Sequence, residues 1–134
     1  MTIAEYLGSI KERLLTDSIV ASFEIIRERI TPVDGHLRAR LMCIDGSQLE
    51  FSEYVQRSGD EIKVVTYSYH WIDADGVLIK RWDNAPHHPE LASFPHHIHL
   101  GSSTQVMPSQ PMSILVVLDV ITDALADLMD AVEC

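Results

Sequence analysis

Between residues 31 and 76 the chain is interrupted at short intervals by turn-forming residues, and the stretches between them alternate apolar and polar side chains. The interruptions are Thr31-Pro32-Val33-Asp34-Gly35, Asp45-Gly46, Ser58-Gly59-Asp60 and Asp73-Ala74-Asp75-Gly76. Each joins a residue with special backbone freedom to small polar neighbours, which is the chemistry of a tight turn. Alternation is plainest at Leu37, Ala39, Leu41 and Cys43, set against His36, Arg38, Arg40 and Met42. Period two puts one set on each face of a strand. The pattern predicts strands over about 19–30, 37–43, 49–55, 61–72 and 77–82, with connections short enough only for antiparallel hairpins. His96 to Leu100 is expected to add a short edge strand.

A meander of this kind has an apolar face that must be covered. The cover is expected from the two ends. Thr2-Ile3-Ala4-Glu5 reads as a capping box ahead of Ile3, Leu7, Ile10 and Leu14, so a helix should run to about Leu15. A second helix is expected near the other end, with Pro111 in its first turn, Ser109 as its cap, and Ile114, Leu115, Leu118, Ile121, Leu125, Leu128 and Met129 as its apolar stripe. The expected fold is one α+β domain over residues 1–134: a strongly twisted antiparallel meander of about five or six strands with both terminal helices on one face. A coiled, barrel-like sheet is the rival architecture. Tyr67, Tyr69 and Trp71 share strand parity and should form one aromatic row, for packing or for stacking a base.

Hydrophobic residues at 46% and charged residues at 22% mark a folded rather than a disordered chain. The first fifteen residues lack the basic and apolar regions of a signal peptide, and the apolar run from Ile114 to Leu118 is too short to span a bilayer. The expected location is therefore the cytoplasm, without a membrane partner. Cys43 and Cys134 stand alone, which argues against a disulfide and excludes a two-cysteine metal knuckle. Acids outnumber Lys plus Arg by 20 to 10, so a broad nucleic-acid surface is disfavoured while a local basic pocket stays open. Asp119, Asp123, Asp127 and Asp130 fall along one helical face, where a basic partner or a homodimer contact would relieve their repulsion.

Six of the seven histidines lie at 70, 87, 88, 96, 97 and 99. Histidine titrates near neutrality, so such a cluster reads first as a general acid/base site. On this reading His97 and His70 move protons, Arg81 clamps a phosphate through its fork, and His88 and Asp83 support them. The set suits metal-independent cleavage of RNA, whose 2′-hydroxyl supplies the nucleophile. No cofactor is then required. The alternative is a divalent metal such as zinc held by His87, His97 and His99, with His88 or Asp83 completing the set. Loop histidines in a noncatalytic regulatory or interaction protein form the third reading. Glu53 is a further candidate base, or a surface acid.

Tyr69-His70-Trp71, the run from Ile79 to His88 with its Arg81-Trp82-Asp83-Asn84 core, and Phe94-Pro95-His96-His97-Ile98-His99 together resemble the signature of the TumE-like toxin family, over roughly residues 5 to 110. The resemblance implies the toxin of a two-gene toxin-antitoxin module, paired with a DNA-binding helix-turn-helix antitoxin, and a ribonuclease-like activity on RNA. It implies a polar core of His70, Arg81, Asp83 and Asn84 with His87, His88, His96, His97 and His99, in which Asn84, His87, His96 and His99 would bind substrate.

Overall fold

The computed structural model describes residues 1–101 and 105–126. Helix α1 (Ile3–Thr16) starts at Thr2, whose hydroxyl accepts from the Glu5 N–H while the Glu5 carboxylate accepts from the Thr2 N–H, both at 3.0 Å. This capping box satisfies two of the donors that a helix start leaves bare. The helix stops at Asp17, which turns extended and donates its N–H to the Arg13 carbonyl. Ile3, Leu7, Ile10 and Leu14 form its buried stripe.

Strands β1 (Val20–Ile30), β2 (Asp34–Cys43), β3 (Gln48–Ser58), β4 (Glu61–Ile72), β5 (Leu78–Asp83), β6 (His97–Leu100) and β7 (Val106–Pro108) lie side by side in chain order, each antiparallel to the next. This is the expected α+β meander with a helix at each end. The sheet has seven strands because β6 folds back on the three residues of β7, which carry too short a pattern to read from sequence. It stays open, with β1 and β7 as edges, so the barrel-like alternative is not adopted. Gly46 and Gly76, at φ of 86° and 84°, make the tight returns into β3 and β5.

One face of the sheet is buried under the helices. β2 contributes Leu37, Ala39, Leu41 and Cys43, β3 contributes Leu49, Phe51 and Val55, and all pack with the α1 stripe in one core. Gly35 permits the close approach, since a Cβ there would stand 2.6 Å from Ile3 Cγ2. Tyr69 is fully buried and stacks on Tyr67 at 5.1 Å between centroids, so the aromatic row of β4 is packing rather than a platform for bases.

Helix α2 (Ile114–Ala124) closes the same face with Ile114, Val117, Leu118 and Ile121. Its cap is Ser113, not Ser109, and it begins beyond Pro111. The cause is local. The Ile114 N–H is held at 2.6 Å by Glu53, and Ser109 donates its N–H to Ser93 Oγ instead of capping. Leu128 and Met129, and the acids at 127 and 130, lie outside the described residues. Of the acidic face, Asp119 pairs with Arg13 of α1 at 2.8 Å. Among the described residues, no helix is long and apolar enough to cross a membrane.

Candidate active site on the open face of the sheet

Register decides which side chains meet. Residues directly opposite on neighbouring antiparallel strands share a face, so each rung of the sheet is a row of neighbours. One rung runs His70, Arg81, His99 across β4, β5 and β6, and the next runs Ser68, Asp83, His97. Both belong to the face opposite the helices, as do Ser52 and Arg38, which continue the second rung onto β3 and then β2. The turn from Asp73 to Gly76 makes β4 and β5 a hairpin, and an irregularity between Trp71 and Ile72 shifts its register so that 70 stands against 81. Arg81 thus stands between two histidines, each one strand away, about 4.8 Å in the pairing direction.

Asp83 is the anchor. It is 3% exposed, and its carboxylate gathers four neighbours. Oδ1 accepts from the Ala85 N–H at 3.1 Å and faces His97 Nε2 at 2.8 Å; Oδ2 faces Arg81 Nε at 3.2 Å and His99 Nε2 at 3.5 Å. His97 is also buried, at 2%. Its Nδ1 lies 2.9 Å from the Pro95 carbonyl, a group that only accepts. Both ring nitrogens thus face protein oxygens, which fixes the orientation of the imidazole.

The loop after β5 brings His88 over this pair. His88, His97 and His99 meet edge to face, with centroids 4.8 to 6.1 Å apart, and their ligating nitrogens all lie within 4.8 Å of one another. His88 Nδ1 is 3.3 Å from Glu90 Oε1, which leaves Nε2 as its ligating atom. These three and Asp83 could hold a metal. The three-histidine group contains His88 where the sequence reading placed His87, which is exposed. Adjacent residues project in different directions, and the loop has no periodicity to say which one turns inward.

Other candidates are set apart from this cluster. Asn84 donates to the Val65 carbonyl at 2.8 Å and accepts from the Tyr67 N–H at 3.0 Å, so its amide completes the edge of β4 rather than facing a ligand. His96 stacks on Tyr67 and hydrogen-bonds to its hydroxyl at 2.8 Å, on the helix side of the sheet. Glu53 is fully buried on that side too, bound by the Tyr6 and Tyr69 hydroxyls and the Ile114 N–H, each at 2.6 Å. It is neither a base in this site nor a surface acid. Its parity with Leu49, Phe51 and Val55 was the signal for that placement.

The front of the site is a depression of about 250 Å³ lined by Arg38, Glu50, Ser52, Ser68, His70 and Arg81, with Phe51 at its floor. Burial holds the His70 and His99 imidazoles below their ordinary range, and Arg81 adds to this at both. Glu50 opposes the shift at His70, and Asp83 opposes it at His99. Hence both imidazoles favour the neutral form, His99 with a carboxylate beside it that limits the shift.

A sheet that buries one face under two helices and offers arginine and histidine side chains on the other is a small α+β protein equipped to meet an anionic ligand. The chain belongs to the Toxin TumE family, whose pattern matches residues 10–131, nearly its whole length. Membership makes it a toxin-family protein of the toxin-antitoxin kind and implies an antitoxin partner. No curated protein and no solved structure matches the chain.

Proposed function

We propose that this toxin is a metal-independent endoribonuclease acting through His70, Arg81 and His99. The observation that carries the reading is the rung itself: an arginine flanked by two partly exposed histidines, with Asp83 holding one side in place. Neutral His70 takes the proton from a 2′-hydroxyl, whose oxygen attacks the adjacent phosphorus. Arg81 stabilises the charge that builds on the phosphate oxygens. His99 as imidazolium gives its proton to the departing 5′-oxygen, and the products are a 2′,3′-cyclic phosphate and a 5′-hydroxyl. His97 and Asp83, both buried, position Arg81 and His99 and do not touch substrate. This shifts proton transfer from His97 to His99, because His97 is buried with both nitrogens facing protein oxygens, whereas His99 is partly exposed.

The test is cleavage of a mixed RNA pool by purified protein in EDTA. Wild type should yield cyclic-phosphate ends, and His70→Ala or His99→Ala should lose roughly 10² to 10⁴-fold in rate with the fold intact. Failure of folded wild type to cleave any RNA overturns the reading. The convergence of His88, His97 and His99 beside Asp83 favours a second reading, a zinc-type centre at the same place. Cleavage abolished by EDTA and restored by zinc would select it. In either case the antitoxin, proposed to be a helix-turn-helix protein, is the partner that restrains the activity.

A further inference from the structure

The depression in front of Arg81 is one of three that join. A second, of about 370 Å³, shares Ser52, Ser68 and Arg81 with it and extends past Thr66 to Tyr54 and His36. A third, of about 250 Å³, shares His36 and Tyr54 with the second and ends at Arg27 and Arg29 on β1. The result is one groove that crosses the strands from β5 to β1 on the open face.

The chain as a whole carries a net charge of -10, yet six of its ten Lys and Arg residues (Arg27, Arg29, Arg38, Arg40, Lys63 and Arg81) stand on this face, where Glu50 pairs with Arg38 at 2.6 Å and with Arg40 at 3.4 Å. Arg29 is paired with Asp34 at 3.1 Å, while Arg27, exposed beside it, has no ion-pair partner among the described residues. Three guanidinium groups act on His36 here: its imidazole is held below its ordinary range first by burial and then by Arg27, Arg29 and Arg38. Tyr54 lies along the floor, half-buried, with its hydroxyl fixed on Asp34 at 2.9 Å. Cationic side chains spaced along a groove and interleaved with an aromatic ring are the elements by which single-stranded nucleic acid is held without reading its sequence.

We infer that the groove is an extended binding track for single-stranded RNA, with Arg27, Arg29, His36 and Tyr54 forming a remote subsite that holds the strand several nucleotides from the Arg81 site. This rests on the ribonuclease reading and adds to it a substrate class and a length requirement. From β1 to β5 is four strand spacings, on the order of 19 Å, a span for a few nucleotides at the low end of the roughly 4 to 16 covered by single-strand sites.

The experiment measures fluorescence anisotropy with labelled oligonucleotides methylated at every 2′-oxygen, which bind but cannot be cleaved. A dinucleotide and an octanucleotide are compared on wild type, Arg27→Ala and Arg27→Ala/Arg29→Ala. Wild type should bind the octamer at least ten-fold more tightly than the dimer. The double variant, its fold checked by circular dichroism, should lose most of that ratio with the loss confined to the octamer, and Arg27→Ala should fall between. Equal affinities for the two lengths, or a double variant that binds the octamer as wild type does, overturns the track. Polyglutamate displacing the octamer from wild type at equal charge concentration would assign the groove to an acidic polypeptide and also overturn it. The two levels fail separately. Tight, length-dependent binding with unmodified RNA left intact refutes the ribonuclease reading alone, whereas cleavage without length dependence refutes the track alone.

Discussion

His70 stands on the exposed side of Arg81 and senses it directly. Burial is the larger cause of its depressed imidazole, and the Arg81 guanidinium adds to it by disfavouring a second positive charge. Removing that guanidinium leaves burial in place and takes away the repulsion, so the His70 midpoint should rise toward 6.5 in Arg81→Ala while staying below it. Ring-proton NMR titration measures this without any substrate; a midpoint unchanged by the substitution would mean that the two side chains are not neighbours. The hairpin was readable, but its register only to within a few rungs. A return over Asp73 to Gly76 alone would set 70 against 79; the Asp73 N–H to Val77 carbonyl bond and an irregularity between Trp71 and Ile72 shift the pairing so that 70 meets 81 and 68 meets 83. The pairing of Arg81 with His99, and of Asp83 with His97, was not readable at all. Thirteen residues without periodicity separate Asp83 from His97, and only the folded loop, pinned where Ser93 Oγ bonds the His96 carbonyl and the Ser109 N–H, fixes the register of β6.

At the level of elements, Glu53 joins pieces that no local pattern links. Its two oxygens receive a hydroxyl from α1, a hydroxyl from β4 and the first N–H of α2, so one buried carboxyl fixes where α2 starts. The strands and α1 were legible because each declares itself by period and cap. The start of α2 was not, because it is set by an acid sixty-one residues away. Burial raises the Glu53 carboxyl above its ordinary 4.5, against the pull of its three donors. A raised carboxyl contributes its stability fully below the unfolded value and loses it as pH rises through the folded one. Glu53→Gln keeps the shape and can still accept from Tyr69 and Ile114 while donating to Tyr6, but it does not titrate. Wild type should therefore gain stability relative to Glu53→Gln as pH falls from 7.5 toward 4.5, as read by urea denaturation. Glu53→Ala instead strands buried donors and should cost about 2–4 kcal/mol at any pH in that range. A difference between wild type and Glu53→Gln that is flat across pH would mean that Glu53 titrates alike in the folded and unfolded chains.

For the molecule as a whole, the acidic balance and the proposed RNA substrate pull in opposite directions, and the fold resolves this by placement. The sequence displays the excess of acids but not where they go. Strand parity puts Arg38 and Arg40 together, and only the full sheet order adds Arg27, Arg29 and Arg81 to the same side. The remaining surface repels RNA at long range, and that repulsion is weakened by salt, whereas phosphate contacts in the groove are weakened by salt through counterion release. The two dependences have opposite signs. Affinity for the octanucleotide should therefore fall with salt less steeply than five free arginines would give at about 0.7 per contact, especially below roughly 50 mM where repulsion is least screened. Above that range the groove should dominate. There Arg27→Ala/Arg29→Ala should make the logarithmic salt slope shallower by at least about 0.7, the contact of the unpaired Arg27, and a slope unchanged in that variant would show that phosphate does not reach β1.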